Sequence, residues 1–385
     1  MLRPFSLLTT TILVSSFASA TSSPIPEPPQ LSAKGYVLMD YHTGTVLVEK
    51  NANEALNPAS LTKLMTSYVA GKEMANSNIA MDDKVRISQN AWARNFPDSS
   101  KMFIEVGKDV VLEDLYRGMI IQSGNDASVA IAEHIAGSEA SFVGMMNAWA
   151  DRLGMNNSSF ANPHGLDAKG LYSTPYDMAL LSQAIIRDLP DIYPMYSELS
   201  FTYNNITQGN RNRLLRNRSL NVDGMKTGYT QGAGYSLVSS ATEGDMRLIA
   251  VVMGTSSPQI RESESVHLIR YGFRFYETLN PHAEGEKVVT KKVYMGESDE
   301  LKLGVSDDVF ITLSRSDTRH LNAEAVVDNK IQAPVSKGDK IGSLVYRVGD
   351  NEVHRVPLIA LEEVDQGGVF RRLIDWVKLF VLSFR

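Results

Sequence analysis

The chain has 385 residues, enough for two or three domains, and its 43% apolar and 21% charged residues are typical of a folded globular protein. The formal net charge of −6 argues against a nucleic-acid-binding protein, since contacts to phosphates need an excess of Lys and Arg. The absence of cysteine excludes disulfides, thiolate metal sites and a cysteine nucleophile. No two of the seven histidines are three or four residues apart, so we expect no metal and no cofactor.

The first 20 residues have the pattern of a secretory signal peptide. Arg3 is their only charged residue, the run 4–19 is uncharged, and the segment ends in the small residues 18–20. The apolar stretch is shorter than the roughly 20 residues that span a bilayer, which favours cleavage after Ala20 over a membrane anchor. Residues 21–31 are rich in Pro and Ser and predict an extended leader.

Residues 32–280 are predicted to form an α+β domain. Alternating apolar residues at 36–40 and 46–49, around a Gly-containing turn, indicate a β-hairpin. Apolar residues at helical steps then predict helices at 112–121, 127–136, 141–153 and 174–187. Strand-like stretches return at 235–240 and 247–253.

Residues 281–366 change character and predict a separate, small all-β domain. Short β-branched runs alternate there with Gly, Asp and Asn turns, at 287–294, 309–313, 323–327, 341–346 and 353–359. We find no fixed-period repeat and no phosphate-binding loop.

Residues 367–385 predict an amphipathic helix after a hinge at Gly367-Gly368. One face carries apolar side chains, and the other carries Arg371, Arg372, Asp375 and Lys378. The charges exclude a membrane span, whereas an aromatic and aliphatic face with net positive charge suits the surface of an anionic membrane. The alternative is a helix packed on its own protein or on a second copy. The apolar face consists of Phe370, Leu373, Ile374, Val377, Phe380, Val381 and Phe384.

Ser60 and Lys63 form the single S-x-x-K of the chain. Asn57 and Pro58 predict a helix start just before them, with Asn57 as the cap, so the two side chains are expected on one helical face. If burial or nearby positive charge lowers its pKa, the Lys63 amine can accept the Ser60 proton and make Ser60 a nucleophile. The alternative is a surface helix on which the two residues are incidental.

Ser123-Gly124-Asn125 is predicted to lie at a junction between two helices, where its side chains can point into a cleft. The same S-x-N pattern also occurs at 88–90 and 219–221, so only its position singles it out. The alternative is that Ser123 or Asn125 caps the next helix.

Lys226-Thr227-Gly228 occurs once, before a predicted strand. On an edge strand beside Ser60, Lys226 would supply a positive charge, Thr227 a hydroxyl for a carboxylate, and Gly228 room for a substrate backbone. A second cation near Lys63 would also lower its pKa. The alternative is a turn with a solvated Lys.

The three motifs, in this order, form a known signature of penicillin-binding proteins and class A β-lactamases. The sequence resembles the low-molecular-mass penicillin-binding proteins that are D-alanyl-D-alanine carboxypeptidases, of the penicillin-binding protein 5 and 6 type. The resemblance extends over almost the whole chain after the signal peptide, including residues 120–126, 164–167, 212–215, 221–228 and the terminal helix. It implies a β-lactamase/transpeptidase-like catalytic domain, with an antiparallel sheet flanked by helices, followed by a β domain and a membrane-anchoring helix.

The resemblance implies that Ser60 attacks the penultimate D-alanine of a peptidoglycan stem peptide, that Lys63 takes its proton, and that the terminal D-alanine leaves. Ser123 and Asn125 would complete the catalytic set, with Lys63 or Ser123 relaying a proton during hydrolysis of the acyl-enzyme. The N–H groups of Ser60 and Tyr229 would form the oxyanion hole.

The same resemblance implies that Lys226, Thr227 and Arg261 hold the terminal carboxylate, unless Arg261 only pairs with Glu262 or Glu264. It further implies covalent inhibition by β-lactams and a location on the periplasmic face of the bacterial inner membrane. His164 is expected to be structural.

Three alternatives to a carboxypeptidase remain at this point. A class A β-lactamase is disfavoured, because no E-x-x-L-N motif lies between Asn125 and Lys226 and an extra domain is present. A D,D-endopeptidase of the same superfamily is compatible with the same residues. A non-catalytic peptidoglycan-binding scaffold is disfavoured by the intact Ser60 and Lys63.

Overall fold

A computed structural model describes residues 25–382. The expected signal peptide, the leader residues 21–24 and the last three residues lie outside the described residues. The rest of the leader, 25–31, has no regular structure, and the Tyr271 hydroxyl donates a 2.8 Å hydrogen bond to the Pro26 carbonyl. None of the helices within 25–382 has the length and apolar character needed to cross a bilayer.

The helices follow the expected positions closely. The predictions at 112–121, 127–136, 141–153 and 174–187 are confirmed within a few residues. Seven α-helices occur within the described residues: α1 Thr62–Ala75, α2 Leu112–Ile121, α3 Asn125–Ala136, α4 Glu139–Arg152, α5 Pro175–Asp188, α6 Pro258–Phe275 and α7 Val369–Leu382.

The strands fall into two groups, separated by α6. The first group is β1 Gly35–Asp40, β2 Val46–Lys50, β3 Lys84–Arg86, β4 Asp109–Val111, β5 Ser200–Tyr203, β6 Ile206–Gly209, β7 Asn221–Thr230, β8 Gly234–Glu243 and β9 Met246–Thr255. The second group is β10 Tyr276–His282, β11 Lys287–Tyr294, β12 Glu300–Gly304, β13 Val309–Ser314, β14 Leu321–Val327, β15 Ile331–Gln332, β16 Lys340–Val348 and β17 Asn351–Ala360.

The first group of strands contains a five-stranded antiparallel sheet in the order β2-β1-β9-β8-β7, covered by helices on both faces. The alternating side chains of β9 enter two cores, as residues on opposite faces of a strand must. Leu248, Ala250 and Val252 pack with α6, whereas Ile249, Val251 and Met253 face the larger helical layer. The strand β7 is left at the edge of the sheet, as expected for Lys226-Thr227-Gly228.

The β domain has a six-stranded sheet in the order β14-β16-β17-β12-β11-β15, and the five strand predictions at 287–359 are confirmed. It encloses its own core around Leu303, Leu344 and Tyr346. The strand β10 runs through residue 280 and pairs with β13, so the chain enters this region along a strand. The boundary at 280/281 stays a prediction.

Candidate active site

Ser60 lies in a 3-10 turn, Ala59–Leu61, that we call the nucleophile turn. The expected helix starts later, at Thr62, so Ser60 precedes α1 and Lys63 lies in the first turn of α1. Ala59 has φ of 47°, a conformation that a helix cannot continue through. Asn57 does not cap α1 as expected, but its side-chain oxygen accepts a 2.9 Å hydrogen bond from the Ala59 N–H of the nucleophile turn. A 3-10 turn repeats every three residues, which keeps the Ser60 and Lys63 side chains together.

The Lys63 amine is surrounded by three oxygens and is only 1% exposed. Its Nζ lies 3.0 Å from Ser60 Oγ, 2.7 Å from Asn125 Oδ1 and 2.5 Å from the His164 carbonyl oxygen. Burial lowers the pKa of Lys63 to about 7, helped by the charge of Arg211 and opposed by Asp126. A neutral amine has two N–H donors and one lone pair. With the donors directed to Asn125 and His164, the lone pair is left for the Ser60 proton.

Ser123 and Asn125 lie at the junction of α2 and α3, as the sequence predicted. Ser123 has φ of 64°, and its Oγ accepts a 2.8 Å hydrogen bond from the Lys226 amine. Asn125 contacts Lys63 through its oxygen and donates from Nδ2 to Ser99 Oγ at 3.0 Å. Neither side chain caps α3, because Gly124 occupies the cap position and no side-chain cap bond forms. The capping alternative is therefore wrong.

Lys226 is buried on the edge strand β7, and the alternative of a solvated lysine is wrong. Among the residues that the structure describes, the other hydrogen-bond acceptor of its amine is the Thr227 carbonyl at 3.1 Å. Burial, followed by the charges of Lys63, Arg211 and Arg261, holds the pKa of Lys226 well below its ordinary value. A bound anion beside this amine would reverse the effect of the neighbouring cations and favour its charged form.

Gly228 has a packing role different from the one expected. A Cβ at Gly228 would lie 2.8 Å from the Pro58 carbonyl oxygen and 3.2 Å from Leu61 Cγ. The missing side chain thus lets the nucleophile turn press against β7, where the expectation was room for a substrate. Because of this contact, Ser60 and Tyr229, the expected oxyanion-hole residues, lie on adjoining stretches of backbone.

An open cleft of about 850 Å³ is lined by residues of all three motifs, among them Ser60, Ser123 and Thr227. Tyr229, half-exposed at its mouth, stacks on Tyr235 with ring centroids 4.2 Å apart. Arg261 lines the cleft and pairs with Glu262 at 3.3 Å, so one of the two expected pairings is present. Glu264 instead accepts hydrogen bonds from the start of the domain, at Ser32 and Ala33. The Arg261 Nε is buried without a hydrogen-bond partner among the described residues.

Three contributors to the site were not predicted. The fully buried Asp126 accepts hydrogen bonds from the N–H groups of Met102, Phe103 and Ile104, which fixes the loop beside Asn125. The His164 carbonyl contacts Lys63, while burial and the Lys63 charge lower the pKa of the imidazole to about 3, consistent with a structural role.

The third contributor is Gly165, with φ of 86°, where a Cβ would overlap the Ala59 carbonyl. The sequence offered one signal for these residues: they lie within segments 120–126 and 164–167, which are among those that resemble the family.

Comparisons with known proteins identify the same family as the motifs. A family model described as D-alanyl-D-alanine carboxypeptidase matches residues 22–257, and one for the C-terminal domain of penicillin-binding protein 5 matches residues 276–366. The D-alanyl-D-alanine carboxypeptidase DacC of Escherichia coli (strain K12) is 46% identical over 357 residues, which are 92% of this chain and 89% of that protein. DacA of the same strain is 45% identical over 384 residues, which are 97% of this chain and 95% of that protein.

A solved structure agrees with the sequence relatives. Penicillin binding protein 5 from Haemophilus influenzae has a TM-score of 0.83 and 45% identity, and the match covers 89% of this chain and 100% of that chain. Both the resemblance and the fold class predicted from the motifs are confirmed. The chain belongs to the D-alanyl-D-alanine carboxypeptidase family.

Proposed function

We propose that this protein is a serine-type D-Ala-D-Ala carboxypeptidase that removes the terminal D-alanine from peptidoglycan stem pentapeptides during cell wall biogenesis. The observation that carries the proposal is the Lys63 amine, buried, 3.0 Å from Ser60 Oγ, and shifted in pKa to about 7. An amine placed in this way can act as a general base at neutral pH. The family membership of the chain supports the same reaction.

In the first step, Ser60 Oγ forms a bond to the carbonyl carbon of the penultimate D-alanine. Lys63 accepts the hydroxyl proton, and the N–H groups of Ser60 and Tyr229 stabilise the developing oxyanion. The C–N bond to the terminal D-alanine then breaks. Its nitrogen takes up a proton through Lys63 or Ser123, which is in contact with Lys226. Water hydrolyses the remaining ester and regenerates Ser60.

The other end of the substrate is the terminal carboxylate, and the buried cations of the cleft suit it. We assign Lys226, Thr227 and Arg261 to its binding, because Lys226 lacks a carboxylate partner and the Arg261 Nε lacks any partner within 25–382. A β-lactam presents the same pair of groups, a reactive amide and a carboxylate, so we propose it as a covalent inhibitor at Ser60.

The test is release of free D-alanine from a pentapeptide ending in D-Ala-D-Ala. Wild-type protein should release it, and both Ser60→Ala and Lys63→Met should reduce release to background. Ser219→Ala is a matched control in the second S-x-N motif, 219–221. Within residues 25–382 the Ser219 hydroxyl bonds to Asn217 and Arg270 and does not line the cleft, so this variant should retain activity. Release by Ser60→Ala, or none by folded wild-type protein, would contradict the proposal.

We propose further that the protein works on the periplasmic face of the inner membrane, attached by residues 367–385. The helix α7 supports this, since its apolar side chains Phe370, Leu373, Ile374 and Val377 are exposed. A protein that ends at Gln366 should stay in the supernatant with anionic vesicles and keep full carboxypeptidase activity, while the full chain should sediment. Sedimentation of the shortened protein would contradict the assignment. The domain division at 32–280 and 281–366 belongs to the same proposal.

A further inference from the structure

We infer that Asp375 clamps α7 onto the β domain, so that the apolar face of the helix meets the membrane at a fixed orientation relative to the rest of the protein. The inference rests on the proposed membrane attachment. It adds that α7 is a rigid part of the β domain, whereas the sequence predicted a helix on a hinge.

Asp375 is the first observation. In a helix whose apolar side chains are exposed, this charged residue is 2% exposed. Its Oδ2 accepts a 2.8 Å hydrogen bond from the Met295 N–H, and its Oδ1 accepts one of 2.8 Å from the Lys378 amine. Burial of a carboxylate is costly unless hydrogen bonds compensate it, and a charge-assisted bond is about twice as strong as a neutral one.

The receiving turn is shaped to hold the helix. Met295 has φ of 63°, and its carbonyl accepts a 2.8 Å hydrogen bond from the Gly367 N–H, so one residue binds both the helix and the segment before it. The Glu297 N–H donates to the Asp365 carbonyl at 2.8 Å. A Cβ at Gly367 would lie 2.6 Å from the Gly296 carbonyl oxygen. Gly367, the first residue of the expected hinge, is therefore packed against this turn.

Arg371 provides a second, weaker contact, through an ion pair of 2.7 Å with Asp299. Both of these side chains are substantially exposed, and exposed pairs contribute little to stability. Asp375 is buried, and each oxygen of its carboxylate accepts a hydrogen bond. It is thus the residue on which the fixed orientation depends. The contacts of α7 with the β domain thus come from Asp375 and Arg371 on its polar side, while the apolar face is exposed and does not pack on the protein as the alternative interpretation would require.

The opposite face fits a lipid surface. Phe370 is 85% exposed and Val369 78% exposed, and further apolar side chains follow along the same side. Arg371, Arg372 and Lys378 lie on the polar side and, with Asp375 as the one acid, give the helix a net positive charge that suits anionic headgroups. The helix is about 21 Å long at 1.5 Å per residue, which suits lying in the interface and not crossing it.

Because the helix is fixed to the β domain, the way the helix lies on the bilayer also sets the orientation of the β domain. The paired strands β10 and β13 connect this domain to the catalytic domain, which is oriented in the same way. The cleft is then held at one height above the membrane. A helix on a flexible joint would instead let the cleft sample many heights.

The first measurement is amide hydrogen exchange of the full chain in solution, without lipid. In Asp375→Ala the Met295 amide should exchange at least ~10-fold faster than in wild type, because its charged acceptor is gone. Glu363→Ala is the matched control, since it also removes one acidic side chain near the helix in sequence, but one that is exposed and makes no side-chain hydrogen bond or ion pair within residues 25–382. It should leave Met295 unchanged. Equal exchange in Asp375→Ala and wild type would overturn the clamp.

The second measurement uses vesicles of phosphatidylglycerol and phosphatidylethanolamine. The chain has no cysteine, so Lys169→Cys gives a single dye position on the catalytic domain, and time-resolved energy transfer to a headgroup acceptor reports its height. Wild type and Glu363→Ala should give one narrow distribution. Asp375→Ala should bind the vesicles at least as tightly, having lost a negative charge, but give a broad distribution.

A narrow distribution in Asp375→Ala would overturn the inference. Failure of every form to bind vesicles would overturn the membrane attachment, while the exchange result would still decide the clamp. Binding of the exposed face to a second protein copy, seen as a dimer without lipid, would also overturn the lipid assignment.

Discussion

The pH dependence of acylation by a fluorescent penicillin is the prediction that tests the role of Lys63 most fully. Burial lowers the pKa of Lys63 to about 7. At pH 7 about half the molecules therefore hold a neutral amine, against about one in 3,000 for an unperturbed lysine. Only the neutral form can accept the Ser60 proton. The second-order acylation constant should be flat above pH 8 and should fall about tenfold per pH unit well below pH 7.

Two variants identify the titrating group by moving the midpoint in opposite directions. Asp126 raises the pKa of Lys63, so Asp126→Asn should move the midpoint to lower pH, whatever it does to the maximal rate. Arg211 lowers that pKa, so Arg211→Gln should move the midpoint to higher pH. Arg213→Gln is the charge-matched control, since Arg213 also lines the cleft but is not among the groups acting on Lys63.

The assay is labelling followed over time between pH 5 and 9, with each profile fitted for its midpoint. Burial and the Lys63 charge lower the pKa of His164 to about 3, so His164 does not titrate in this range. Lys226 also has a lowered pKa, but Asp126 is not among the groups that act on it. A flat profile, or Asp126→Asn and Arg211→Gln profiles that shift in the same direction, would refute the assignment of Lys63 as the base.

Three further predictions concern packing and substrate binding. Gly165→Ala should slow acylation strongly, because its Cβ would overlap the nucleophile turn. Gly170 has nearly the same positive φ, but no atom lies within 4 Å of the position of its Cβ. Gly170→Ala should therefore leave acylation unchanged and lower the free energy of unfolding by only about 1–2 kcal/mol, measured by thermal unfolding. Gly228→Ala should slow acylation, since its Cβ would lie 2.8 Å from a backbone oxygen, while Gly232→Ala, with 3.4 Å to the nearest atom, should not; equal rates for both would contradict the packing role. Lys226→Met should lose ~10–100-fold of the preference for a pentapeptide over its C-terminal amide, compared by kcat/KM, and an unchanged preference would remove Lys226 from the carboxylate site.

Much of the site was predictable because its chemistry lies in short, ordered motifs. The S-x-x-K, S-x-N and K-T-G positions each fix a residue type, and helical periodicity placed Ser123 correctly between α2 and α3, with Asn125 at the start of α3. The nucleophile turn was not predictable, since Asn57-Pro58 is a valid helix start. Only the tertiary contact with Gly165 and Gly228 explains why the chain tightens before α1.

Contacts made by backbone atoms could not be predicted from the sequence, for a general reason. The His164 carbonyl that binds Lys63 could belong to any residue type, so no side chain signals it. Asp375 escaped for a related reason, since helical periodicity assigns it to the polar face and solvent. In the structure it is buried and accepts a hydrogen bond from the N–H of Met295, which is 80 residues away in the chain.

Peptide mapping after reaction with benzylpenicillin tests the central claim most directly, because it asks which oxygen the buried amine activates. We predict one covalent adduct per chain, on the peptide that contains Ser60, and none in Ser60→Ala protein whose thermal unfolding is unchanged. An adduct on any other peptide, or one that persists in Ser60→Ala, would contradict the account.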